Sequence, residues 1–217
     1  MKLPFTIRQF LDIFQKYNNT VYPLQILFIL LAALAILVAY RGNKKHQKFI
    51  LFILAAFWLW MGVVYHIGYF SVINKAAYLF GALFILESIL LLIYGLVKTP
   101  IFHFQKNIHS IISVLLFAYA LIIYPLIGYF AGHGYPYSPT FGLPCPTTIF
   151  TFAIFIIAQP RIPFYVAIIP LLWSAIGFSA AFSLGIYEDT ALIISGLAFV
   201  ALYFLKPKRW HVKNDTT

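Results

Sequence analysis

Cys145 is the only cysteine in the chain and stands between two prolines in TFGLPCPTTIFTF, residues 140–152. A thiol becomes a nucleophile and a soft-metal ligand once it ionises. Its proline frame predicts a helix starting at Pro146, with Cys145 as the N-cap. There the free N–H groups of Thr147 and Thr148 and the positive end of the helix dipole would face the sulfur. Apolar burial opposes ionisation, so a small buried residue in a tight turn is the competing reading. Two histidines fall on the same expected side, His133 in the loop before Cys145 and His66 beside Tyr65. Cys145, His133 and His66 together would suit a soft or borderline cation, although their spacing matches no ligand signature. Either histidine could instead act as a base for a Cys145 nucleophile. Glu87 is the one acid inside an apolar run, and Tyr124, Thr147 and Gln25 complete the polar residues at membrane depth. Buried polar groups are costly in hydrocarbon and so point to function. Glu188 and Asp189, by contrast, read as solvated acids of a connecting loop.

These residues have to be positioned by membrane-spanning helices. Of 217 residues, 63% are hydrophobic and 9% charged, with mean hydropathy +0.92. A soluble domain carries about 25% charged residues, so a water-soluble fold is excluded. The formal net charge of +10 is spread over short segments between apolar runs, which argues against a nucleic-acid partner. A single cysteine excludes an internal disulfide framework, and Arg8, Asp12 and Lys16 break any signal-peptide core.

Crossing a hydrocarbon core of about 30 Å takes roughly 20 apolar residues. Seven segments qualify, at about 22–40, 49–70, 77–97, 110–131, 146–159, 162–184 and 188–205. The expected fold is therefore an all-α polytopic membrane bundle, one integral membrane domain over residues 1–217. Residues 1–20 read as an interfacial amphipathic helix, with Phe10, Leu11, Phe14 and Tyr17 on one face. One set of connections collects Arg41, Lys44, Lys45, Lys48, Lys98, Lys106, Arg161, Lys206, Lys208, Arg209 and Lys213; the other has Lys2, Arg8, Lys16 and Lys75. That asymmetry predicts the N-terminus outside and the C-terminus in the cytoplasm.

Depth follows from a rise of about 1.5 Å per residue. Glu87 lies roughly 15 Å into its span, near the midplane. Counted up from Gln159-Pro160, Cys145 stops about 9 Å short of the outer boundary. Irregular backbone at that depth must be buried in protein or line a cavity, so the loop GHGYPYSPTFGLPCP is expected to dip into the bundle. Gly177, Ala181 and Gly185 recur at four-residue spacing, which marks the sixth span as the expected central helix. Trp58, Trp60 and Trp173 lie within spans and read as core.

The stretches FWLWMGVVYH (57–66), NKAAYLFGALF (74–84) and YPLIGYFAGHGYPYSPTFGLPCPTTIFTF (124–152) resemble an uncharacterised family of bacterial multispanning inner-membrane proteins. The resemblance implies a bacterial inner-membrane protein of this layout and carries over no functional residue. Retinal proteins need a lysine in the middle of the last span, and ceramidase-like hydrolases need paired histidines on one helix; this chain has neither. The expectation is transport or channel-like activity toward a small solute or ion, a soft metal ion included, through an outward-facing vestibule. A membrane-embedded enzyme or redox protein using Cys145 is the first alternative, and a structural or assembly protein is the second.

Overall fold

The computed structural model describes residues 4–98 and 100–205. The bases Lys2, Lys206, Lys208, Arg209 and Lys213, used above to judge orientation, lie outside the described residues. Helix α1 (Ile7–Val21) opens on a capping box: the Thr6 hydroxyl accepts from Gln9 N, and the Gln9 side chain accepts in turn from Thr6 N. Then come α2 (Leu24–Arg41), α3 (Lys48–Trp60), α4 (Ala77–Val97), α5 (Ile108–Ala118), α6 (Tyr124–Phe130), α7 (Pro144–Ile156), α8 (Phe164–Leu184) and α9 (Thr190–Phe204). Two of these helices run on through wide π-helical turns. Met61–Tyr69 continues α3, and Tyr119–Ile123 joins α5 to α6 into one span. The bundle is all-α as expected, apart from two two-residue strands.

Six of these segments are long and apolar enough to cross a membrane. Their outward faces are apolar as well: Ile26, Leu27, Ile29, Leu30, Leu34 and Leu37 are all exposed along α2. A water-soluble surface does not carry such a stripe. The remaining segment, expected at 146–159, is the 13-residue α7. At about 1.5 Å per residue it is roughly 20 Å long, too short to span alone. Every residue of α7 is buried, and α3, α5, α8 and α9 surround it. All seven segments are present, with a correction to the fifth: six helices have the length of spans, and α7 is a shorter helix buried among them that runs from the loop at 131–143 to the α4–α5 connection at the other end. The expectation that the sixth span lies at the centre is corrected too, because α7 holds that place. The Gly177 and Ala181 face of α8 is nevertheless buried, and a Cβ on Gly177 would meet Leu192 Cδ1 at 2.8 Å.

The interfacial helix is present but turned toward protein. Phe10, Ile13, Phe14, Tyr17, Asn18 and Val21 of α1 are buried. Tyr17 stands edge-on to Tyr65 and Tyr69, and its hydroxyl accepts from Trp60 Nε1 at 2.7 Å. Burial pushes the Tyr17 phenol above the ordinary tyrosine range, and the Trp60 bond partly offsets this. Trp58 is likewise core, donating from Nε1 to Thr151 Oγ1 at 3.1 Å. At the other end of the bundle, β1 (Ile101–Phe102) pairs antiparallel with β2 (Ala158–Gln159). Buried Gln47 ties this ribbon to α2, accepting from Phe102 N at 2.9 Å and donating to Val38 O at 3.3 Å.

Candidate functional site

A cavity of about 450 Å³ lies under α1. Phe5, Phe10 and Phe14 form one wall, and the Gly177–Ala181 face of α8 forms another. Its polar side chains are Cys145, Asp189, Tyr65, Trp173, Asn74, Ser179 and Ser183. Pockets that bind small molecules have this character, a mostly apolar lining with a few placed polar groups.

Cys145 reaches the cavity from the first turn of α7, not from its cap. The helix starts one proline earlier than expected, with Leu143 as N-cap and Pro144 as the first helical residue. Both prolines fit in a first turn because N–H groups there have no partner within the helix. Thr147 Oγ1 accepts from Gly142 N at 3.1 Å, and Thr151 Oγ1 donates to Thr147 O at 2.8 Å. Thr147 therefore closes the turn and does not face the cavity. Gly142 holds φ +98°, and a Cβ there would sit 2.3 Å from the Phe28 ring, so this bend requires glycine.

Above the turn, residues 131–143 fold back onto the bundle, as expected of a dipping loop. The organiser is Asn18. Its amide donates to Pro136 O at 2.8 Å and Ser138 O at 2.9 Å, and its Oδ1 accepts from Thr140 Oγ1 at 2.8 Å. Gln25 donates to Asn18 O at 2.9 Å and lines, with Tyr124, a second cavity of about 230 Å³. Gln25 thus helps to anchor the loop.

The acids expected in solvent are buried. Glu188 is 0% and Asp189 3% exposed. Tyr124 donates a short hydrogen bond to Asp189 Oδ1, and the Cys145 thiol lies beside the same carboxylate. His133 Nε2 lies 2.7 Å from Glu188 Oε1, and the Tyr119 hydroxyl donates to Glu188 O at 2.8 Å. Gly128 leaves room for this pair, since a Cβ there would stand 3.2 Å from Glu188 Oε1. Tyr124, Cys145 and His133 are therefore linked through two acids that sequence reasoning placed in a solvated loop. The available signal was their rarity: the chain has only five acidic residues, and two of them are adjacent.

His66 and Glu87 stand apart from this assembly. His66 sits in the π-helical segment, caged by Phe84, Trp173 and Tyr65 with ring centroids 4.5, 5.0 and 5.2 Å away. Both of its ring nitrogens lack hydrogen-bond partners, and so do both carboxylate oxygens of Glu87. Neither residue lines the cavity. The metal set Cys145, His133 and His66 is corrected on the same grounds. His133 is committed to Glu188 and His66 to the aromatic cage, and among the described residues no three His, Cys, Asp or Glu side chains converge. Trp173 is the residue that sequence reasoning missed as a polar group. Its indole is 8% exposed and lines the cavity near the thiol, yet Nε1 has no hydrogen-bond partner.

The model of a family of unknown function, DUF6064, matches residues 7–214, and the chain belongs to that family. No curated protein and no solved structure matches it.

Proposed function

We propose that this member of the DUF6064 family captures a small amphiphilic molecule from the membrane and holds it in the cavity beneath α1, for transport rather than conduction. The carrying observation is the unpartnered Trp173 Nε1–H at a cavity whose other walls are mostly apolar. A buried donor without a partner costs about 1–3 kcal/mol, and a ligand acceptor such as a carbonyl or ether oxygen would remove that cost. The remaining walls suit a hydrocarbon chain. Ion conduction has less support, because α7 fills the centre with buried, mostly apolar side chains and Glu87 and His66 lie outside the lining. In this reading the protein sits in a bacterial inner membrane, N-terminus outside and C-terminus in the cytoplasm, so the cavity faces the outer leaflet.

The test uses a photoreactive monoacylglycerol analogue in membranes carrying the full chain. Labelling is expected on peptides around 139–145 and 173–181. Trp173→Phe, which keeps most of the ring packing, should weaken capture by about tenfold through loss of one buried hydrogen bond. Labelling confined to lipid-facing α2 and α4, indifferent to Trp173→Phe, would refute the reading. One observation favours the second reading, chemistry at Cys145. The Asp189 carboxylate lies beside the thiol and could take its proton as the sulfur attacks an ester carbonyl, then return that proton to the alcohol that leaves as the C–O bond breaks. A stable acyl adduct on Cys145 found by mass spectrometry would favour that reading over simple capture.

A further inference from the structure

We propose that a second pocket, at the β1–β2 end of the bundle and far from the cavity under α1, binds an oxyanion of the phosphate class. The pocket measures about 200 Å³, and its polar lining includes His103, Gln105, Asn107, His109, Gln159 and Arg161. Among the described residues no carboxylate lines it.

One backbone donor fixes the direction of a chain of hydrogen bonds at this pocket. Ser110 N–H donates to the Asn107 side-chain oxygen at 3.0 Å. That leaves Asn107 Nδ2 as the donor on its other side, and it donates to Gln105 Oε1 at 2.9 Å. With its oxygen so occupied, Gln105 must present its NH₂ group away from Asn107, and this buried Nε2 has no partner. The amide cannot be flipped to relieve this without opposing two donors at Asn107. Gln105 is itself held in place, since its backbone N–H donates to Ser110 Oγ at 2.7 Å. Gln105 Nε2 therefore offers a free donor to an acceptor entering the pocket.

The surroundings say that the acceptor is anionic. The Arg161 guanidinium lies 5.5 Å from the centre of the Tyr203 ring and gives Nη2 to Leu205 O at 2.5 Å. A guanidinium has five N–H donors in a fixed fork suited to oxyanions. Stacking on Tyr203 orients that fork without neutralising it. Asn107 caps α5, whose N-terminal N–H groups and positive dipole end open at the same place. Donors thus arrive from the β1–α5 connection, from α5 and from the segment after β2, on different sides of one small space. A tetrahedral group with acceptors on several sides satisfies that arrangement better than a planar one. In the proposed orientation the pocket is cytoplasmic, within reach of soluble phosphate esters and of inner-leaflet headgroups.

Full-length protein in nanodiscs of phosphatidylcholine is titrated with inorganic phosphate, with chloride at matched ionic strength as the reference. Melting temperature and calorimetric Kd are the readouts. Phosphate is expected to stabilise the protein and chloride not to. Gln105→Glu keeps the acceptor for Asn107 Nδ2 but replaces the donor with a negative charge. It should raise the phosphate Kd by at least about tenfold while the anion-free melting temperature stays near wild type. Arg161→Gln should do the same. Nanodiscs doped with phosphatidic acid separate the two sources. Stabilisation by phosphatidic acid alone assigns a headgroup, stabilisation by phosphate alone assigns a free anion, and competition between them assigns one site for both. Equal responses to phosphate and chloride with none to phosphatidic acid, or wild-type affinity in Gln105→Glu, would overturn the proposal and leave the cavity under α1 untouched.

Discussion

Asn18 carries more of this structure than any residue chosen for its chemistry. Its side chain is 0% exposed and bonds to two carbonyls and a hydroxyl of a loop roughly 120 positions away. Removing it leaves Pro136 O, Ser138 O and the Thr140 hydroxyl without their partner, each at about 1–3 kcal/mol if water does not enter. Asn18→Ala should therefore destabilise the fold by about 2–4 kcal/mol and lower the melting temperature in detergent by about 5–10 °C. The exposed neighbour gives the control, because Asn19→Ala removes no contact of this kind. Equal melting temperatures for the two variants would show that the loop does not depend on Asn18. The acids follow the same residue-scale logic: Glu188 and Asp189 are tolerated in the interior because His133, Tyr124 and Cys145 meet them there.

Among the elements, the π-helical continuation of α3 packs tightly on α4, where lipid offers no hydrophobic drive for helix association. Gly62 and Gly81 face each other across that contact. A Cβ on either would stand 2.9 Å from the carbonyl oxygen of the other. Small residues let backbones come this near, and the gain is van der Waals packing along the whole interface. Gly62→Ala and Gly81→Ala should each cost about 1–3 kcal/mol through overpacking. The Gly62→Ala/Gly81→Ala double variant should cost less than the sum, since the first substitution already separates the helices. Strict additivity in a denaturation series would mean that the two glycines do not share one contact. This contact also positions the π-helical segment, Met61–Tyr69, which presents Tyr65 to the cavity and His66 to the aromatic cage.

For the whole molecule, the two polar-lined pockets lie at opposite ends of the bundle with α7 between them. The cavity with Cys145 and Asp189 lies under α1, the basic pocket with Arg161 lies at the strand end, and α7 separates them. The proposed orientation puts these ends on opposite sides of the membrane. Reporter fusions after Lys98 and after Asp189 should accordingly report cytoplasm and exterior, respectively. The same report from both would require a different path for α5 to α8.

The sequence by itself determined where the helices are. Hydropathy is a sum over neighbouring residues, so Ala77–Val97 could be placed to the residue and an apolar segment found at 146–159, although α7 starts two residues earlier, at Pro144. The amphipathic α1 was legible for the same reason, its apolar face being a local periodicity. Partnership was not legible. His133 and Glu188 are 55 residues apart, Tyr124 and Asp189 are 65, and Trp58 meets Thr151 across 93. Only the packed bundle decided that Glu188 and Asp189 are buried, that Cys145 sits inside the first turn of α7 beside a carboxylate rather than a histidine, and that His66 turns into aromatic rings. Whether a polar side chain finds water, lipid or a partner depends on which distant segment folds against it, and that is a property of the tertiary structure.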